Sequence, residues 1–210
     1  MGTVWAKAAA NDSATSVKLS SGKTITLDQQ GRSRFGPGNW SVVLEQWLPP
    51  DNLYDVETVA NKKNVSLSVS GSNLTSWKDL GYQNASGVAY YTSSFLWPKK
   101  ETGATGAYLV IPSVSHGIKI SINGNEIPAV DITNPTTDVS TYLVQGDNTV
   151  VIIVSSTLHN CLILIWDQIL TGGAVPTLNY SALEEMGFQP QAYGILGEVR
   201  VVPYQLMRII

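Results

Sequence analysis

His159, Cys161 and Asp167 fall within one short stretch and have the residue types of a base, a nucleophile and an orienting carboxylate. No nucleophile elbow or glycine-rich oxyanion loop accompanies them, so the arrangement is thin as a hydrolase signature. The other histidine, His116, lies like His159 just outside an apolar strand. A turn histidine bonded to backbone is the plain account of either one. Strand ends are also where loops gather and sites are built. If the chain is an enzyme, His159, His116 and Asp167 are its catalytic candidates, with His159 foremost because Asn160 and Cys161 adjoin it. Asp51, Asp55, Glu57, Asp167, Glu184 and Glu185 are the acids to weigh for two-carboxyl chemistry. No two of them sit where one pKa would rise and the other stay low, which argues against an autonomous glycosidase. No carboxylate–histidine cluster marks a catalytic metal, and no cofactor is expected. Only a structural calcium on loop oxygens is left open.

Six tryptophans and nine tyrosines offer stacking faces for sugars or flat apolar ligands. Tyr91 and Trp97 lie inside a strand and read as core. Trp40, Trp47, Trp77 and Trp166 lie nearer segment ends, where partial exposure is expected. With Asn160 as a polar neighbour, they are the ligand-binding candidates.

The elements that must position these side chains are strands. Ile118-Lys119-Ile120-Ser121-Ile122 alternates at period two and runs into Asn123-Gly124, a hairpin signal. Val150 to Val154 is β-branched throughout, which suits a strand covered on both faces. Asp138 to Leu143 is expected to make one helical turn capped by Asp138, and Ser76 to Leu80 another before Gly81. Near the N-terminus, Ser16 to Leu19 and Lys23 to Leu27 read as a hairpin, and Thr3 to Ala10 as a first strand. Leu158 to Leu170 is apolar without clear period and could line a pocket. Residues 172–191 form an insertion in which Ser181 to Met186 carries a capping box before Gly187, hence a short, lid-like helix.

These elements make an all-β chain. The expected fold is a two-sheet jelly-roll β-sandwich over residues 1–210, with one or two short helices in its loops and an N-terminal hairpin and loop over 1–38. A hydrophobic content of 43% supports a sizeable core. The net charge of −3, without a basic stripe, argues against nucleic acid. No apolar run approaches the ~20 residues of a membrane span, so a soluble chain is expected. Cys161 is the sole cysteine, which excludes an intrachain disulfide. Met1 to Ala10 lacks the features of a signal peptide. Asn-x-Ser/Thr sequons at Asn11, Asn39, Asn64, Asn73, Asn84 and Asn179 nevertheless point towards secretory ancestry. The compartment is left open, and a homo-oligomer is allowed.

The order of YYTSSFLWP (90–98), GAYLVIP (106–112), His116 followed by KISINGNEI (119–127), DVSTYLVQGDNTVVIIVSST (138–157) and YGILGEVRVVPY (193–204) carries a resemblance. It is similar to the galactose-binding-like jelly-roll accessory domain of fungal α-L-rhamnosidase-like and β-galactosidase-like glycoside hydrolases. The resemblance covers the chain from about Trp40 onward. It implies an accessory β-sandwich without a catalytic barrel, and His116 as a position those domains share. The run Leu162-Ile163-Leu164-Ile165-Trp166 is greasier than the resemblance implies.

Two readings follow. One is a non-catalytic module that binds an oligosaccharide through aromatics and loop hydrogen bonds. The other is a stand-alone natural-product cyclase, cofactor-independent, that folds a hydrophobic polyketide or terpenoid small molecule in an apolar pocket closed by 172–191. A structural or inhibitory partner of a hydrolase is a third, with no positive signal.

Overall fold

The structure, a computed structural model, describes residues 5–9, 15–27, 35–55, 57, 60–97, 104–169 and 189–209. Its strands are β1 (Trp5–Ala9), β2 (Thr15–Lys18), β3 (Thr24–Leu27), β4 (Asn39–Leu48), β5 (Asn61–Ser70), β6 (Asn73–Leu74), β7 (Gly87–Trp97), β8 (Gly106–Val110), β9 (Ile118–Ile122), β10 (Asn125–Glu126), β11 (Thr136–Asp138) and β12 (Gly146–Ser155). Two short helices follow, α1 (His159–Leu164) and α2 (Trp166–Ile169), and then β13 (Gly197–Glu198) and β14 (Arg200–Arg208). A four-stranded sheet runs β1-β14-β8-β11 and a six-stranded sheet runs β10-β9-β12-β7-β4-β5, with β13-β6 and the β2-β3 hairpin as small separate pairs. The two large sheets enclose one core, to which Val42, Tyr91 and Ile152 contribute from one side and Ala107, Leu109 and Val201 from the other. This is the expected all-β sandwich. No helix among the described residues is long and apolar enough to cross a membrane.

Period-two patterning builds the sheets. In β7, Ala89, Tyr91, Ser93, Phe95 and Trp97 point inward while Tyr90, Thr92, Ser94 and Leu96 point out. Tyr91 and Trp97 are core, as expected. β12 is central in its sheet, but its two faces differ: Val150, Ile152 and Val154 are buried, whereas Val151 and Ile153 stay half-exposed. The expectation of cover on both faces is corrected. Thr92 and Ser121 flank Val151, and Tyr90 and Lys119 flank Ile153, so neighbours on the same sheet shield the outer face in place of a second layer.

The Asn123-Gly124 turn has φ of 52° and 79°, the positive pair that a two-residue hairpin turn requires. The Asn123 side-chain amide donates to Asn148 Oδ1 at 2.8 Å and to the Tyr142 carbonyl at 2.9 Å. Asn148 in turn donates to the Val144 and Gly146 carbonyls, so this amide cluster pins the turn to the start of β12. Ser76 caps the turn after β6, accepting the Asp79 N–H at 3.1 Å, and Gly81 ends it at φ 93°. That turn matches the sequence expectation.

One local expectation is corrected. The segment Asp138 to Leu143 is the end of β11 followed by a tight turn in place of a helical one; the Asp138 carboxylate caps that turn, accepting the Ser140 N–H at 3.1 Å, and also serves a wider network. It accepts from Lys7, from the Ser140 hydroxyl at 2.5 Å and from the Tyr204 hydroxyl at 2.8 Å, while Lys7 lies over the Tyr204 ring at 4.9 Å. The aperiodic run Leu158 to Leu170 contains α1 and α2. The Ser181–Met186 helix lies outside the described residues.

Two aromatic residues tie the turn after β6 to β7. Trp77 Nε1 donates to Tyr91 Oη at 2.7 Å inside the core, with Trp40 edge-on to Tyr91 at 6.4 Å. Trp77→Phe removes the donor and leaves a buried hydroxyl short of a partner. It should cost about 1–3 kcal/mol in denaturant unfolding. The second test is acid titration. Burial acts to raise the Asp138 pKa, but its bonds to Lys7, Ser140 and Tyr204 prevail and hold it at about 2. The unfolded value is about 3.9. The unfolded chain therefore binds more protons between these values, and the contribution is present above the unfolded pKa and lost as pH falls towards the folded one. Wild type should melt above Asp138→Asn near neutral pH, with the gap closing as pH approaches about 2.

Candidate functional site

The residues singled out in the sequence converge on one strand-end region, but largely as structural contacts. His159 Nε2 lies 3.1 Å from the Gln189 carbonyl. Asn160 is 1% exposed; its amide donates to the Gln191 carbonyl at 2.9 Å and accepts the Gln191 N–H at 2.8 Å. Both ends of that amide are engaged, so Asn160 is corrected from ligand contact to structural anchor. His116 packs against Tyr193 with ring centroids 5.3 Å apart, and Tyr193 Oη meets Thr157 Oγ1 at 2.6 Å. Burial pushes the Cys161 thiol pKa up, the opposite of what a nucleophilic thiolate needs. Asp167 belongs to α2, and its side chain lies outside the described residues. Among the described residues no group of His, Cys, Asp and Glu is clustered as metal ligands.

The tryptophans divide. Trp40 and Trp77 are each 1% exposed, a correction to the expected stacking faces. They stand close to segment ends, yet the opposite sheet and the segment 189–195 cover them. Trp47 and Trp166 are half-buried. Trp47 Nε1 donates to Glu45 Oε1 at 2.7 Å, and Lys62 lies 4.7 Å over the Trp47 ring while reaching Glu45 at 3.1 Å. The Trp47 and Lys62 bonds hold the Glu45 carboxyl below its ordinary pKa against the effect of burial. One face of this indole is thus already occupied.

A concavity of about 320 Å³ opens between the end of β4, the loop before β7 and α1. Gln46 and Leu48 line it from β4, Lys78, Tyr82, Gln83 and Asn84 from the loop, and Leu164 from α1. The loop is fixed by its backbone: the Tyr82 N–H donates to Trp77 O at 2.8 Å, and the Ala85 N–H to Tyr82 O at 3.0 Å. Gln83 and Asn84 thereby sit at the corner of a tight turn. Ser86, fully buried, ties the walls together. Its carbonyl accepts the Trp47 N–H at 2.8 Å and its hydroxyl accepts the Cys161 N–H at 3.1 Å. Among the described residues the amides of Gln46, Gln83 and Asn84 have no protein partner, and Lys78 has no ion pair. None of these residues is among the ligand-binding candidates of the sequence, where Asn84 enters only as a sequon. The available signal was Tyr82-Gln83-Asn84, an aromatic and two amides just beyond a capped turn.

A second, shallower groove of about 510 Å³ lies on the six-stranded sheet, where hydroxyls such as Ser41, Ser68, Thr92 and Ser94 project. It is uncharged. Of the sequon asparagines, Asn39, Asn64 and Asn73 are exposed and Asn84 is half-buried in the first concavity; Asn11 and Asn179 lie outside the described residues. Ser86→Ala would orphan the Cys161 N–H. A loss of about 1–3 kcal/mol is expected in chemical denaturation.

No family model matches this chain, and no curated protein matches it. Among solved structures, a rhamnosidase from Novosphingobium sp. PP1Y is similar over 85% of this chain, with a TM-score of 0.55 and 22% identity. The match covers 16% of the rhamnosidase chain. A β-glucuronidase from Ruminococcus gnavus is similar over 62% of this chain and 22% of its own, with a TM-score of 0.43 and 18% identity. The chain thus spans a small part of the length of either enzyme. At such identity the likeness is one of fold, and the chain has the fold of a β-sandwich portion of a glycoside hydrolase.

Proposed function

We propose that this chain is a non-catalytic carbohydrate-binding β-sandwich of the accessory kind that its sequence resembles, and that the concavity at Gln46, Tyr82, Gln83 and Asn84 holds the sugar. The observation that carries this reading is the set of unengaged amides beside an aromatic ring and two leucines. A sugar ring has polar edges and an apolar C–H face. Each side-chain amide can donate and accept at once, which matches neighbouring hydroxyls, while Tyr82, Leu48 and Leu164 offer surface for the C–H face. The described lining contains no carboxyl group. Its chemistry is therefore hydrogen bonding and packing, not the paired acid and base of glycoside cleavage.

The cyclase alternative leaned on the greasy run after Leu158. In α1 that run turns Leu162 and Leu164 outward and Asn160 and Cys161 inward, and only Leu164 reaches the concavity. No observation favours that alternative. The test is calorimetry of the unglycosylated protein against neutral and acidic plant-cell-wall oligosaccharides, since a glycan on Asn84 would block the concavity. Saturable binding should weaken at least tenfold in a Gln83→Ala/Asn84→Ala variant that keeps the wild-type melting temperature. Binding untouched by that variant would move the site elsewhere. Absence of binding to every oligosaccharide would end the reading.

A further inference from the structure

We infer that the carbohydrate held in this concavity is acidic, its uronate carboxylate pairing with Lys78. This rests on the carbohydrate-binding reading above. Among the described lining residues Lys78 is the one charged side chain, and it is exposed, without an ion pair.

The nearby carboxylates are directed elsewhere. Asp79, next in sequence, takes the Ser76 hydroxyl at 2.6 Å as part of the capped turn. Glu45 is engaged by Trp47 and Lys62, and β-strand alternation puts it on the face of β4 opposite Gln46. The positive charge at the mouth therefore stands uncompensated, beside amides able to donate to the same anion. A neutral sugar would leave it with water alone. A uronate converts it into a charge-assisted hydrogen bond, roughly twice as strong as a neutral one.

The experiment uses trisaccharides of galacturonate and of glucuronate, each paired with its carboxyl-reduced neutral counterpart, titrated into the full chain. Wild type should bind at least one uronate form about tenfold more tightly than its neutral twin, and raised salt should narrow the gap. Lys78→Gln should abolish that preference, bringing the acidic and neutral forms to equal affinity, while Lys78→Arg should retain it. Equal binding of acidic and neutral forms, or a preference that survives Lys78→Gln, would overturn the inference and leave carbohydrate binding standing. Failure of both forms, together with failure of the neutral panel, would remove the reading on which the inference rests. Lys78 is solvent-exposed, so loss of folding will not obscure the result.

Discussion

A single buried hydrogen bond, from Trp77 Nε1 to Tyr91 Oη at 2.7 Å, is the constraint around which the strand-end region is built. Both side chains are 1% exposed, and this bond gives the indole N–H and the phenol oxygen a partner inside the core. Burial raises the Tyr91 pKa and outweighs the Trp77 and Ile195 hydrogen bonds, which act to lower it, so the phenol stays neutral in the interior. The pair also dictates what may pass over it. A Cβ on Gly194 would come within 2.7 Å of Tyr91 Oη and 2.8 Å of Trp77 Nε1, at a φ of 107° that already favours glycine. Position 194 must therefore carry no side chain.

Everything near the strand ends follows from that docking. With 189–195 laid across Trp77, Tyr193 comes against His116 and Thr157, and Gln191 comes against Asn160. Residues chosen for possible chemistry thus become the clasp that holds a returning segment. Trp77 also sets the loop beyond it, since its carbonyl receives the Tyr82 N–H. Aromatic core and candidate sugar site are consecutive parts of one chain path. The site inherits its rigidity from the core, which favours recognition by preformed polar groups.

Polar chemistry is divided between the faces of the molecule. On the outer side of the four-stranded sheet, Lys7, Asp138, Ser140 and Tyr204 satisfy one another and tie β1, β11 and β14 together. On the six-stranded sheet, Glu45, Trp47 and Lys62 do the same for β4 and β5. The concavity beside α1 differs because its amides and its lysine are not satisfied internally. That difference distinguishes a ligand site from a structural network more sharply than charge or aromatic content.

Local chemistry in the sequence determined the strands and turns. Alternation in 118–122, positive-φ residues at Asn123-Gly124 and the capped turn at Ser76 act over a few neighbours, so they are legible without knowing the fold. The residue order that resembles hydrolase accessory domains pointed in the same direction as the fold. Exposure was not legible. Trp40 and Trp77 near segment ends looked available, and the opposite sheet and a distant segment removed them from solvent. Lys7 meeting Asp138 across most of the chain likewise made the expected capping residue a tie between β1 and β11 of one sheet. The candidate site was decided by tertiary structure alone, because Gln46, Asn84 and Leu164 come from remote positions and acquire a shared purpose only when β4, the loop and α1 meet at Ser86.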